Sequence, residues 1–167
     1  MATVVLERSL RILDQLSRYD ARGQSLTELA RQSGIPHATV HRLLQDLLAA
    51  RLVAQQPDGR GYVLGRLAFE YGLAARNRHD VATLFTPGLE RLTAETGYAA
   101  YLFVRSSTEA VCYAHTATRR PDAPLTVTVG GRRPLGVGAA GLALLAAQDD
   151  ALVEHALARH AEVLGRY

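Results

Sequence analysis

His37 and His41 stand four residues apart in the stretch GIPHATVHRLLQDL, residues 34–47. On a helix that spacing puts both imidazoles on one face, the arrangement with which metalloproteases hold zinc. The protease pattern also places a glutamate beside the first histidine as general base, and here Ala38 fills that place. His155 and His160 lie far off in sequence, at a spacing that does not share a face. No metal site is expected from these residues.

GVGAAG, residues 136–141, formally matches the dinucleotide pattern G-x-G-x-x-G. That chemistry needs a strand running into the first glycine, then a helix and a second parallel strand. Pro134 and Leu135 intervene instead, and the residues that follow have a helical pattern as far as Tyr167. Small residues bringing a helix start close to a sheet are the stronger reading, and no cofactor is expected. A milder chemistry survives: amides around Gly136, Gly138 and Ala139, with Arg132 and Arg133 beside them, suit the carboxylate of a small organic acid. The alternative is that both arginines are simply solvated. Cys112 and His115 are three apart on a strand pattern and so face opposite sides, which argues against a nucleophilic pair. Ser106 and Ser107 fall in a turn, and no catalytic residue is expected.

The elements around the two histidines give a different reading of them. VVLERSLRILDQLSRY carries Leu6, Leu10, Leu13 and Leu16 at helical spacing, widened by Val5 and Ile12. A second helix opens at Ser25, with Glu28 in capping-box relation, and stops at Gly34. Pro36 then falls in the first turn of a third helix. At about 100° per residue, Leu43, Leu44 and Leu47 fall within roughly 60° of Val40 as a buried stripe. Ala38, Arg42 and Gln45 point the other way, with His37 and His41 on one shoulder and Thr39 on the other. That outward face is small, polar and basic, as a helix entering a DNA major groove requires. Thr39 is placed for a base or for a phosphate. Ser25 and Thr27 are placed for backbone contacts through helix-terminal amides. Two short strands, 53–56 and 62–64, flank the turn PDGRG, whose Arg60 would meet a phosphate or the minor groove. Three helices followed by a hairpin is the order of a winged helix-turn-helix.

Beyond Gly65, RLAFEYGLAARNR reads as a linker helix, with Leu67, Tyr71, Ala74 and Ala75 as one contact face. HDVATLFTPGLERLTAETG reads as a helix interrupted or restarted at Pro87, with Leu89 and Leu92 inward and an end at Gly97. The period then changes. YAAYLFV and AVCYAHT read as an antiparallel pair across the turn RSSTE, TRRPDAP as a loop, LTVTV as a third strand and GGRRPLGVG as a turn. AAGLALLAAQ and DDALVEHALARHAEVLG are helical.

Charge separates the two halves. Residues 1–80 carry eleven arginines against eight acidic residues, whereas 81–167 carry eight of each, so the whole excess of three lies in the first half. All 19 basic residues are arginine, whose planar fork suits phosphate and guanine. The excess is modest, and a solvated arginine-rich surface is the plain alternative. At 48% apolar and 21% charged, the composition is that of an ordinary globular chain. No apolar run reaches the length of a bilayer crossing, no signal peptide is visible, and the lone Cys112 fits a reducing cytoplasm.

ERSLRILDQL, SLTELARQSGIPHATVHRLLQDLLAARLV, YVLGRLAFEYG and GGRRPLGVGAAGLALLA occur in this order along nearly the whole chain. Together they resemble the IclR (isocitrate lyase regulator) family of bacterial transcription factors. Leu142 stands where the family's last motif usually has a lysine, and Gly136 near its histidine. The resemblance implies an α+β chain: a winged helix-turn-helix over 1–65, a linker helix over 66–80, and a GAF-like effector-binding domain with an antiparallel sheet and flanking helices over 81–167. It implies that this last domain is partial, the family's effector domain continuing beyond the position of Tyr167. It further implies operator DNA as partner, binding as a homodimer or dimer of dimers, and control by a small-molecule effector, as repressor or activator. Dimerisation is expected through the first helix and the linker helix. The rival expectation is a winged helix used only for assembly, attached to a small-molecule-binding or enzymatic domain.

Overall fold

The computed structural model describes residues 3–18, 23–57, 59–79, 81–117 and 127–166; of residues 76–79 it describes the backbone alone. The chain divides into two compact units, Met1–His79 and Asp80–Tyr167.

The first unit opens with helix α1 (Val4–Leu16), whose start is capped by the Thr3 hydroxyl accepting the Leu6 N–H. Helix α2 (Leu26–Ser33) has the full capping box. Ser25 Oγ accepts from the Glu28 N–H, and the Glu28 carboxylate accepts from the Ser25 N–H at 2.9 Å. Gly34 ends α2 in the left-handed conformation, φ 66°. Helix α3 (His37–Ala49) follows, with Pro36 as its N-cap residue rather than within its first turn. Strands β1 (Val53–Gln55) and β2 (Tyr62–Leu64) pair antiparallel with Val53 opposite Leu64, and helix α4 (Arg66–His79) completes the unit. The hairpin is widened by Gln24, which exchanges both backbone hydrogen bonds with Tyr62. A methyl group on Gly23 would come within 2.5 Å of Tyr62 O, so glycine is what lets this segment reach the hairpin.

Ile12, Leu16, Leu29, Ile35, Val40, Leu43, Leu44, Leu47, Val53 and Tyr62 form one core. The stripe read on the third helix is therefore its buried face. The stripe read on the first helix is only partly so. Ile12 and Leu16 are buried and Leu13 packs against them, whereas Val4, Val5, Leu6 and Leu10 are exposed. Periodicity finds the apolar face of a helix, but burial needs a partner along its whole length.

In the second unit, helix α5 (Val81–Thr96) runs without a break through Pro87, which corrects the expected interruption, and Gly97 follows with φ 78°. Leu89 is buried as expected, but Leu92 is exposed, so the inward face of α5 is set by Leu89 and Thr93 instead. The Thr93 hydroxyl bonds that of Thr116 at the end of strand β4 (Glu109–His115), tying helix to sheet. Strand β3 (Tyr101–Ser106) and β4 form a hairpin around Ser107 and Thr108, with Ser107 in the left-handed region. The third strand is β5 (Arg132–Pro134), which pairs antiparallel with β4 in the order β3-β4-β5. It lies inside the segment expected to be a turn. The expected strand LTVTV lies outside the described residues at 125–126, and 127–129 are not strand; TRRPDAP lies wholly outside them. A proline is tolerated in β5, which among the described residues pairs on one side alone, with β4. Helices α6 (Gly138–Ala146), α7 (Asp150–Arg159) and α8 (Ala161–Leu164) follow, and Leu135, Ala110 and Ala156 are the buried centre between sheet and helices.

Candidate functional site

In the first unit the core fixes which side of α3 faces out. With Val40, Leu43, Leu44 and Leu47 buried, His37, Ala38, His41, Arg42 and Gln45 are exposed and Thr39 is half-buried. Arg42 forms no hydrogen bond or ion pair with any described residue, so its guanidinium is available to a ligand. The two histidines lie on the flank of this face. Among the described residues no three metal-ligating side chains come together.

Ser25 and Thr27 mark the start of α2. Thr27 is exposed, but the Ser25 hydroxyl is committed locally: it accepts from the Glu28 amide and donates to the Glu28 carboxylate at 2.7 Å. The Ser25 amide, then its hydroxyl, hold the Glu28 carboxyl below its ordinary pKa. Within the cap, the Glu28 carboxylate therefore already occupies the Ser25 amide, and the Ser25 hydroxyl the Glu28 amide. Arg60 is exposed at the tip of the β1–β2 hairpin. The tip is braced by Gln55 Nε2 donating to Gly59 O at 2.8 Å and by Gln56 N–H donating to Gly61 O. Asp58 lies outside the described residues. The exposed amide side chain of Gln55 is a wing residue that the sequence reading did not single out, since nothing in a three-residue strand announces which side faces out.

The second unit holds a cavity of about 320 Å³. Its walls are Tyr101 and Phe103 of β3, Ala110 of β4, Arg133 of β5 and residues 137–141 at the start of α6. The Tyr101 and Phe103 rings stack at 6.1 Å between centroids. Among the described residues no side chain caps the start of α6. Gly138, φ 66°, leaves Arg133 Nη1 3.7 Å from the point where a Cβ would stand. Of the five residues expected around an acid, Arg133, Gly138 and Ala139 line this cavity. Gly136 and Arg132 do not. Arg132 turns to the other side of β5, where Nη1 donates to the buried Glu109 carboxylate at 3.3 Å. Adjacent residues of a strand point oppositely, so the RR pair divides between a structural ion pair and the cavity.

The glycines of GVGAAG serve conformation and close packing. Gly136 and Gly138 have φ 92° and 66°, and a Cβ on Gly141 would stand 3.1 Å from Pro134 O. Cys112 is buried, and its burial pushes the thiol pKa up, away from a reactive thiolate. His115 lies instead against the Tyr101 ring, 5.7 Å between centroids. A β-hairpin pattern does not say which alternate residues border an open space, so the aromatic wall emerges only from the structure.

Two family models match the chain: the IclR helix-turn-helix domain over residues 5–57 and the bacterial transcriptional regulator IclR C-terminal domain over 73–164. The chain is 30% identical over 159 residues to the transcriptional repressor IclR of Escherichia coli (strain K12), covering 92% of this chain and 56% of that protein. It spans about half the length of the curated relatives it matches. The crystal structure of an IclR transcriptional regulator from Alicyclobacillus acidocaldarius superposes with a TM-score of 0.72 at 26% identity, over 95% of this chain and 64% of that one. An IclR homolog from Microbacterium hydrocarbonoxydans, solved in complex with 4-hydroxybenzoate, has the same fold, with a TM-score of 0.67 at 23% identity over 92% and 63% of the two chains. With one model covering more than half of its residues and the other its first three helices and β1, this chain belongs to the IclR family of bacterial transcriptional regulators.

Proposed function

We propose that this chain is a sequence-specific DNA-binding transcriptional regulator whose operator affinity is set by a small-molecule effector. The observation that carries this reading is the outward face of α3, where exposed Ala38, His41, Arg42 and Gln45 are backed by a fully buried stripe. A polar, basic helix face on a rigid core is what base readout in a major groove needs. Thr39, Thr27 and Arg60 serve the phosphates, and Ser25 contributes through its place in the cap rather than through a free hydroxyl. Residues 1–65 then form the reading head, 66–80 the link and 81–167 the effector-binding part. The protein acts in the cytoplasm, and among the described residues no helix is long and apolar enough to cross a membrane. Exposed Val4, Val5, Leu6 and Leu10 of α1 and Phe69, Tyr71 and Leu73 of α4 support a homodimer, which imposes a near-palindromic operator.

The test is DNA affinity against salt, using the DNA upstream of the gene. Several phosphate contacts per dimer predict a fall of about a thousandfold or more between about 50 and 200 mM salt. A flat response, or no binding at low salt, overturns the reading in favour of a winged helix used only for assembly.

The effector is a small organic acid, held by Arg133 with the amides around Gly138 and Ala139 and covered by the Tyr101–Phe103 wall. The 4-hydroxybenzoate bound by the Microbacterium homolog is an acid of this kind and serves as the probe. Arg133→Ala is expected to weaken its binding about 10- to 100-fold, the range for losing a hydrogen bond to a charged group. Arg132→Ala should leave affinity intact and lower stability, because Glu109 loses a cation. Calorimetric titration of both variants checks this, and equal affinities in Arg133→Ala and the parent chain would remove Arg133 from the role.

A further inference from the structure

The carboxyl end of α3 closes in a way its sequence does not announce. Ala50 is the C-cap and Arg51 follows with φ 60°, a left-handed conformation that usually selects glycine. The Arg51 N–H donates to Leu48 O at 2.9 Å and the Leu52 N–H to Leu47 O at 3.0 Å, so α3 ends in a complete Schellman motif. The conformation of Arg51 also aims its carbonyl away from α3, where it accepts the N–H of Leu67, in the first turn of α4, at 3.1 Å. Next to it the Leu52 carbonyl accepts the Gly65 N–H at 2.8 Å. Gly65 is buried, and a Cβ there would stand 2.3 Å from Arg51 O and 2.8 Å from Val53 N. Backbone meets backbone at this point with no room for a side chain. Past its first turn α4 loses this support: Phe69, Tyr71, Gly72, Leu73, Ala74 and Ala75 are exposed, with only Glu70 half-buried among them.

We infer that the first turn of α4 and the carboxyl end of α3 are one rigid piece, so that α4 is a lever arm clamped onto α3. The Leu67 N–H ties the first turn of α4 itself to the turn that ends α3, and the Gly65 bond, at a contact too close for a Cβ, fixes the residue just before it, so neither shifts without breaking a backbone hydrogen bond. A rotation imposed on the far end of α4 therefore turns α3 with it, and no hinge lies between them. The rigid connection stands on the hydrogen bonds alone. Its consequence, that movement of α4 re-aims a DNA-reading helix, rests on the function proposed above.

Residual dipolar couplings of the full chain test the clamp without DNA. Amides of α3 and of α4 over 66–75 should fit a single alignment tensor of equal magnitude. Leu67→Pro deletes the one of the two donors that α4 itself supplies, in its first turn, where proline is tolerated. It should reduce the α4 couplings to about half or less of those of α3, with the α3 couplings unchanged. Amide exchange gives a second measure on the parent chain. The Gly65 and Leu67 amides should exchange as slowly as those of Val40 and Leu44, and at least about tenfold more slowly than those of 73–75. Reduced α4 couplings in the parent chain, or Gly65 and Leu67 exchanging as fast as 73–75, overturn the inference. So does a folded Leu67→Pro chain that keeps a single tensor. Failure of the DNA reading would appear separately, as absence of salt-dependent binding in a chain whose couplings still fit one tensor.

Discussion

Replacing Leu44 by alanine should destabilise the first unit by about 2–5 kcal/mol, the cost of deleting a large buried side chain into a core that closes only partly over the hole. Leu44 has no exposed surface and belongs to the core shared by α1, α2, α3 and the hairpin. Domains are stable by only about 5–15 kcal/mol in total, so a loss of this size populates the unfolded unit measurably. The cavity cost also falls on function: α3 presents Arg42 and Gln45 only because its opposite face is pinned. Denaturant unfolding followed at the amides of α1–α3 measures the loss, with Leu10→Ala as the comparison. Leu10 is on the same kind of helical stripe but 54% exposed within one chain, so its truncation should cost an isolated chain no more than about 0.5 kcal/mol, and more where the homodimer proposed above covers it. Equal losses in the two variants would mean that the exposed end of α1 is covered in solution, as a dimer through that surface requires.

Arg42→Ala should leave the fold intact and weaken binding to the cognate operator by about 1–3 kcal/mol, roughly 5- to 150-fold, with relaxed preference at one base pair. The substitution is an exposed one in mid-helix, where alanine is the better helix former, so loss of structure does not compete with loss of contact. Among the outward residues of α3 it is the one whose side chain can make two parallel hydrogen bonds to a guanine edge while carrying a charge. Competition binding against operators mutated singly at each position separates the outcomes. A loss that is uniform across all sequences would make Arg42 a phosphate contact, and an unchanged affinity would remove it from the interface.

Much of the first unit was legible because its signals are local. The Ser25–Glu28 capping box, the left-handed Gly34 and the Val40-Leu43-Leu44-Leu47 stripe each depend on residues within one or two helical turns. A periodic stripe also fixes its own opposite side, so the exposed set on α3 followed from the buried one. Pro87 departs from its local expectation for a related reason. Proline costs an isolated helix one hydrogen bond, but α5 is held on the sheet through Leu89, Thr93 and Thr116, and that packing outweighs the local loss.

What the sequence determined by itself is the order of the elements of the first unit, the inward face of α3, and the chemical character of its outward face. All three are fixed by hydrogen bonds and side-chain spacing within a few residues. Only the tertiary structure decided that Arg132–Pro134 is a strand, because its ladder partners, 109–111, lie more than twenty residues away. The same pairing sends Arg132 to Glu109 and Arg133 to the cavity, a division invisible in two identical adjacent letters. Nor could the chain announce the clamp behind α3: Arg51 sits left-handed where glycine is usual, and its carbonyl meets the Leu67 amide that folding brings to it from α4.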